Sequence, residues 1–324
     1  MRILLTGISG FVGSALLPSL LEQGHNVRAL ARDRTRVELA LESAAFESDV
    51  DVTLADFELV IGDTLSGAGV VSAMRDIEVA YYLIHSMEPG SGGVSGVQGP
   101  FPARERASAQ TFADAARAAG VGRVVYLGGP LPPEQTSIHL SSRYAVERIL
   151  LDGVPGSVAL RASIVIGARS RSFRFLVRLI ERLPIIALPA WRNFRTRPID
   201  ERDLVEMLAA CASNEYVSGQ VLDIAGPETL TYGELVRRIT ELMMLSRPSI
   251  GLGISVTPIA ARLAAALTNE QPELVLPLME GLTGDLLPNG QDAAATLNVE
   301  LHSFDSAVEH ALYEWEKLEP LAAR

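Results

Sequence analysis

Lysine and cysteine are almost missing from the chain: each occurs once in 324 residues, as Lys317 and Cys211. A single thiol excludes an intrachain disulfide and a cysteine-cluster metal site. A single lysine, close to the C-terminal end, takes ammonium chemistry out of the core. Long apolar runs are missing too, since the nearest candidate, Ile250 to Leu267, is interrupted by Pro258 and Arg262 and does not read as a membrane span. Met1 to Leu5 reads as a strand rather than an export signal, which leads us to expect a cytoplasmic protein. The net charge of −11 leaves little attraction for nucleic acid. That charge is uneven, because nine arginines and one acid, Glu181, lie between Arg161 and Arg197, so this segment carries +8 and the remainder −19.

What is present is most informative at the start. A short apolar strand runs into Thr6-Gly7-Ile8-Ser9-Gly10-Phe11-Val12-Gly13 and then an apolar helix containing Leu16, Leu17, Leu20 and Leu21. Gly7 permits a tight turn, Gly10 lets the backbone approach phosphates, and Gly13 lets the helix pack on the strand, so the helix N-terminus faces a dinucleotide pyrophosphate. Strand-like runs then alternate with helical patterns: Val27 to Ala31, Glu58 to Gly62, Val79 to Ile84, Arg123 to Leu127, Ser157 to Ala162 and Val221 to Ile224. The alternation predicts an α/β fold, a Rossmann-type doubly wound parallel sheet, with a smaller and mainly helical C-terminal region. We expect the core in residues 1–168 plus about 198–226, and a substrate or lid region in 169–197 plus 227–324. Helices are expected at Ser108 to Ala119, Tyr232 to Leu245, Pro258 to Leu267 and Ser303 to Leu318; the glycine- and proline-rich Glu88 to Pro102 reads as either a lid or a solvated loop.

The second strand ends Ala31-Arg32-Asp33-Arg34. Arg32, supported by Arg34, suits a 2′-phosphate and predicts NADP, whereas an inward-turned Asp33 would suit the ribose of NAD. Gly62-Asp63 after the third strand places Asp63 near the adenine amino group.

These residues, with Pro198-Ile199-Asp200-Glu201-Arg202-Asp203-Leu204 and Gly226-Pro227-Glu228-Thr229-Leu230-Thr231-Tyr232, resemble the extended and atypical short-chain dehydrogenases/reductases. Tyr81-Tyr82-Leu83-Ile84-His85-Ser86-Met87 is similar to bacterial atypical members related to NmrA-like and complex I accessory-subunit proteins. The resemblance implies cofactor contacts from Gly7, Ser9, Gly10, Phe11, Val12, Gly13, Arg32, Arg34, Asp63, Thr64, Leu83, Ile84, His85 and Arg143. At His85 it implies a backbone contact first. Active relatives carry Tyr-x-x-x-Lys; in His139-Leu140-Ser141-Ser142-Arg143-Tyr144-Ala145-Val146-Glu147 the alignment puts His139 in the tyrosine slot and Arg143 in the lysine slot. His139 is then either the proton donor, exchanging a proton near neutral pH, or a helix cap. Arg143 is the ribose anchor, Tyr144 a packing residue, and Glu147 and Arg148 structural.

The expected function is NADP-dependent reduction of a carbonyl or activated double bond, quinone- or enone-like, in a small apolar substrate. The alternative is a non-catalytic NADP(H)-binding sensor or assembly protein acting through a partner protein; a nucleotide-sugar epimerase is a third idea. For the arginine segment three readings stand: an entrance for an anionic or amphipathic substrate, a peripheral contact with an anionic membrane, or an arginine face paired with the acidic remainder.

Overall fold

The computed structural model describes residues 1–45, 52–85, 101–131, 137–251 and 284–319. The first half alternates strictly: β1 (Arg2–Thr6), α1 (Phe11–Glu22), β2 (Asn26–Ala31), α2 (Arg34–Ala45), β3 (Glu58–Ile61), α3 (Val70–Ala73), β4 (Val79–Tyr82), α4 (Phe101–Ala119), β5 (Arg123–Gly128), α5 (Ile138–Gly153) and β6 (Val158–Ala162). Then follow β7 (Val165–Ile166), α6 (Arg171–Arg182), β8 (Ile186–Leu188), β9 (Arg195–Thr196), β10 (Ile199–Asp200), α7 (Glu201–Ala210), β11 (Val221–Ile224), β12 (Leu230–Thr231), α8 (Tyr232–Leu242) and β13 (Ser249–Gly251). The described chain closes with β14 (Gln291–Asp292), α9 (Ala293–Leu297) and α10 (Phe304–Leu318).

Eight strands form one parallel sheet in the order β3-β2-β1-β4-β5-β6-β11-β14. This is the Rossmann-type α/β fold, and its strand order reverses between β1 and β4, where a crevice opens outside the carboxyl ends. Burial on both faces explains why the strands are apolar without alternation. Along β1, Ile3 and Leu5 face one side with α1 and α7, while Leu4 faces the other with α4 and α5. A third apolar cluster gathers Phe173, Val177 and Ile180 of α6, Leu235 and Ile239 of α8, and Val308, Leu312 and Trp315 of α10.

All seven strands read from the sequence form. The eighth, β14, carries no periodicity in its two residues. It is seated by Asp223 on β11, whose Oδ2 accepts from the backbone N–H of Asn289 at 2.7 Å and of Gly290 at 2.6 Å. α4 starts at Phe101, earlier than expected, because Pro102 stands in the first turn, where a missing N–H costs nothing. The rest of the glycine-rich segment and Pro258 to Leu267 lie outside the described residues.

Much of the arginine segment is packed, while Arg171, Arg182 and Arg195 stay exposed. Arg161 grips the buried Glu147 of α5 with two bonds, 2.8 and 2.7 Å. Arg174 and Arg178 stack on the fully buried Trp315, guanidinium carbons 4.6 and 4.8 Å from its ring, and both pair with Glu319. Arg195 pairs with Asp285 at 2.6 Å, and Arg197 donates to the Gly226 carbonyl at 2.8 Å. These contacts favour the reading of an arginine face paired with acidic residues, and the four-residue spacing of Arg174 and Arg178 serves stacking on Trp315. Among the described residues no helix is long and apolar enough to cross a membrane.

Glu147 and Arg148 test the difference between buried and exposed pairing. Glu147→Ala leaves Arg161 in the interior without its carboxylate and should lower the free energy of unfolding by about 3 kcal/mol. Arg148→Ala removes only the exposed 2.8 Å pair with Asp152 and should change it by about 0.5 kcal/mol or less. Urea unfolding of the two variants measures both.

Candidate functional site

The site begins with a close approach. Gly7 adopts φ +74°, and a Cβ there would lie 2.5 Å from the Leu83 carbonyl oxygen; a Cβ on Gly13 would lie 2.3 Å from the Gly7 carbonyl oxygen. Only glycine fits either position, so the turn after β1 is pressed between the end of β4 and the start of α1. The Thr6 hydroxyl fastens it, donating to the Tyr81 carbonyl at 2.8 Å and accepting from the Leu83 N–H at 3.2 Å.

Outside this turn the surface is left free. Ser9 and Gly10 are exposed, and the first turn of α1 has neither a side-chain cap nor an acidic residue. Its leading N–H groups therefore point outward unpaired, the arrangement an anion occupies. Val12 and Phe11 are half-buried beside it. Arg169, which sequence reasoning did not single out, donates to the Ser14 hydroxyl at 2.8 Å and lies 6.0 Å from the Phe11 ring. No local pattern marks it, because it arrives from the turn after β7.

At the carboxyl end of β2, Arg32 and Arg34 are exposed and have no ion-pair partner among the described residues. Asp33 accepts the Thr35 N–H at 2.8 Å with Oδ1 and so starts α2. β3 ends alongside, tied by the Gly62 N–H to the Ala31 carbonyl at 2.9 Å, which brings the Gly62-Asp63 turn beside the end of β2. Asp63 accepts the Leu65 N–H at 3.0 Å. The Thr64 hydroxyl is buried and bonded to the Ser108 hydroxyl at 2.6 Å, which also meets the Tyr82 hydroxyl at 2.9 Å. That side chain faces the protein interior and only the Thr64 backbone remains for a ligand.

Across the crevice, α5 delivers Arg143 to two histidines. Its Nε donates to His139 Nε2 at 3.0 Å, four residues earlier on the same helix face, and its Nη1 lies 3.3 Å from His85 Nε2 after β4. The Arg143 carbonyl accepts from the Tyr126 hydroxyl at 3.1 Å, which fixes α5 to β5. Phe101 stacks on His139 with centroids 5.9 Å apart, and Tyr126 meets His85 edge-on at 6.5 Å. The sequence brought His139 and Arg143 together by spacing; the His85 side chain, Tyr126 and Phe101 join them only through the fold.

The electrostatics correct one expectation. His139 does not exchange a proton near neutrality: burial, and then the Arg143 guanidinium, push its pKa down to about 4. His85 is held well below the usual histidine range by burial, then Arg143, then His139. Both rings are neutral at pH 7. The cap reading of His139 fails as well, since Ser137 caps α5, accepting the Leu140 N–H at 3.2 Å. Tyr144 is 43% exposed and does not serve as core packing.

Residues 3–152 match the model of the NAD dependent epimerase/dehydratase family. The chloroplastic divinyl chlorophyllide a 8-vinyl-reductase of Zea mays is 24% identical over 243 residues, covering 73% of this chain and 59% of that protein. The chain thus spans about three-fifths of the relative's length. Among solved structures, UDP-glucuronic acid 4-epimerase from Bacillus cereus, in complex with UDP-glucuronic acid and NAD, superposes with TM-score 0.69 at 16% identity, over 98% of this chain and 100% of that one. Citrobacter sp. triphenylmethane reductase superposes with TM-score 0.71 at 15% identity, over 97% and 100%. The glycine turn and the strand order agree with that match over residues 3–152, and the chain as a whole shares the Rossmann-type fold of these solved structures.

Proposed function

We propose that the protein is an NADP-dependent oxidoreductase that reduces a carbonyl or activated double bond of a small apolar molecule. The observation that carries this reading is the crevice at the strand reversal, with an uncapped helix N-terminus on one side and the Arg143–histidine group on the other. The residues fit a dinucleotide. The uncapped first turn of α1 suits a pyrophosphate, and Gly10 and Ser9 leave its approach open. Arg32 and Arg34, free of ion pairs among the described residues, suit a 2′-phosphate; Asp33 is engaged as the cap of α2, which speaks against its turning to the ribose of NAD. A bound nicotinamide would supply the hydride.

The chain's own part is to hold the reactants and shape the charge around them. Arg143 keeps Nη2 without a protein partner among the described residues, leaving its two N–H groups for the ribose hydroxyls. His139 and the apolar Phe101 and Ile138, the latter 70% exposed, border the space where an apolar substrate would sit. The third apolar cluster, of α6, α8 and α10, supports a substrate region formed by 169–197 and 227–324. The curated relative is a vinyl-reductase by name, which supports reduction. A second reading, a binder that senses NADP(H) without turnover, draws on the missing Tyr-x-x-x-Lys pair. NADPH oxidation with a panel of quinones, enones and aldehydes separates the two.

Arg32→Ala should weaken NADPH binding about 10-fold or more and leave NADH binding within about 2-fold, as loss of one charge-assisted contact requires; calorimetric titration of both nucleotides measures this. The depressed His139 pKa also carries a stability signature. Below the unfolded value of 6.5 the unfolded chain binds a proton that folded His139 refuses until about 4, so its contribution is fully present above pH 6.5 and is lost as the pH falls toward 4. His139→Phe should flatten part of the loss of stability over that window in denaturant titrations at stepped pH.

A further inference from the structure

Arg143 approaches both imidazoles at the same ring atom. Its Nε meets His139 Nε2 at 3.0 Å and its Nη1 meets His85 Nε2 at 3.3 Å. A guanidinium carries donors only, so each Nε2 must be the acceptor and each neutral ring must carry its hydrogen on Nδ1. One cation therefore sets the tautomer of two histidines that come from different elements, one after β4 and one in the first turn of α5. No described residue accepts either Nδ1–H. The groups facing the pair are Arg143 on α5, Tyr126 on β5 and Phe101 on α4, together with the rings themselves. None of these takes up a proton near neutral pH, as burial pushes Tyr126 well above the usual tyrosine range.

We propose that His85 and His139 form a pair of neutral Nδ1–H donors to the carbonyl oxygen of a flat, conjugated ketone or quinone, with Arg143 as the positioning residue that fixes both tautomers. The proposal rests on the reductase reading and adds to it the His85 side chain and the substrate class. A flat apolar ring suits the surroundings, because Phe101 lies nearly parallel to His139, at 26°, and Ile138 presents 70% of its surface beside it. A bound reduced nicotinamide would supply a hydride to the carbonyl carbon, forming a C–H bond as the C–O π pair moves to oxygen; from a quinone the resulting hydroxydienone then loses that C–H proton to solvent while its second carbonyl oxygen takes one up, giving the hydroquinone. The two N–H groups stabilise the charge developing on the first oxygen, as preorganised donors do. The oxygen then takes its proton from water, and both imidazoles end neutral and unchanged. The donors act by polarising the oxygen, so neither ring has to release a proton.

Two measurements on the full chain test this. In ¹⁵N-histidine-labelled protein at pH 7, the two resonances removed in turn by His85→Asn and His139→Asn should show the hydrogen on Nδ1, and Arg143→Ala should let the Nε2–H form reappear. A hydrogen on Nε2 of either ring in the unaltered protein overturns the proposal. The second measurement is NADPH oxidation with 2-methyl-1,4-naphthoquinone as the acceptor. An asparagine side chain places an N–H where Nδ1–H stands, so His139→Asn and His85→Asn should keep kcat within about 10-fold, while each alanine variant loses about 100-fold, with NADPH affinity unchanged. Equal losses in asparagine and alanine variants of an active protein overturn the donor pair alone. Failure of the unaltered protein to oxidise NADPH with the quinone overturns the reductase reading, and the proposal with it.

Discussion

The contact on which the site depends is the one between the turn after β1 and its two neighbours. The Gly7 carbonyl lies under Gly13 of α1, while the Leu83 carbonyl lies against Gly7 itself. Neither approach leaves room for a Cβ, so strand, helix and the end of β4 are locked at a single spacing. From that spacing follow the outward-facing N–H groups of α1 on one side of the crevice and the direction of Leu83, Ile84 and His85 on the other. The Thr6 hydroxyl, bonded to both Tyr81 and Leu83, holds the arrangement from beneath.

Charge in this molecule is arranged by burial. Glu147, although ionisable, lies in the interior because Arg161 meets it with two parallel bonds. Arg174 and Arg178 cover the faces of Trp315 and share Glu319, so a segment of strong positive charge becomes a packing element between α6 and α10. The site follows the opposite rule. Its cation, Arg143, meets two imidazoles rather than a carboxylate, and the neighbouring positive charge, together with burial, keeps both rings uncharged.

How much of this was legible in the chain varies by element. The glycine turn was legible in full, because tight approach demands glycine and the spacing 7-10-13 names its own geometry. The seven strands from Ile3 to Ile224 were legible through apolar runs, which a doubly covered sheet requires. β14 was not, because two residues have no period and its place depends on Asp223, some seventy residues earlier. The direction of the Thr64 side chain was not legible for a related reason: a hydroxyl after a strand can face solvent or the Ser108 hydroxyl with equal local sense, and only the packing of α4 decides. The role of Arg174 and Arg178 was equally hidden, since Trp315 lies more than 130 residues beyond them.

The sequence by itself determined the fold class, the glycine turn after β1, the arginines at the end of β2 and the loss of the Tyr-x-x-x-Lys pair. Each is a statement about neighbours in the chain, and backbone sterics and helical spacing act at that range. The tertiary structure alone decided that His85 turns its ring to Arg143, that both histidines are neutral with Nε2 as acceptor, and that the arginine segment packs inward. Those outcomes depend on desolvation and on contacts between distant elements, and neither exists until the sheet brings the end of β4 and the start of α5 to the same crevice.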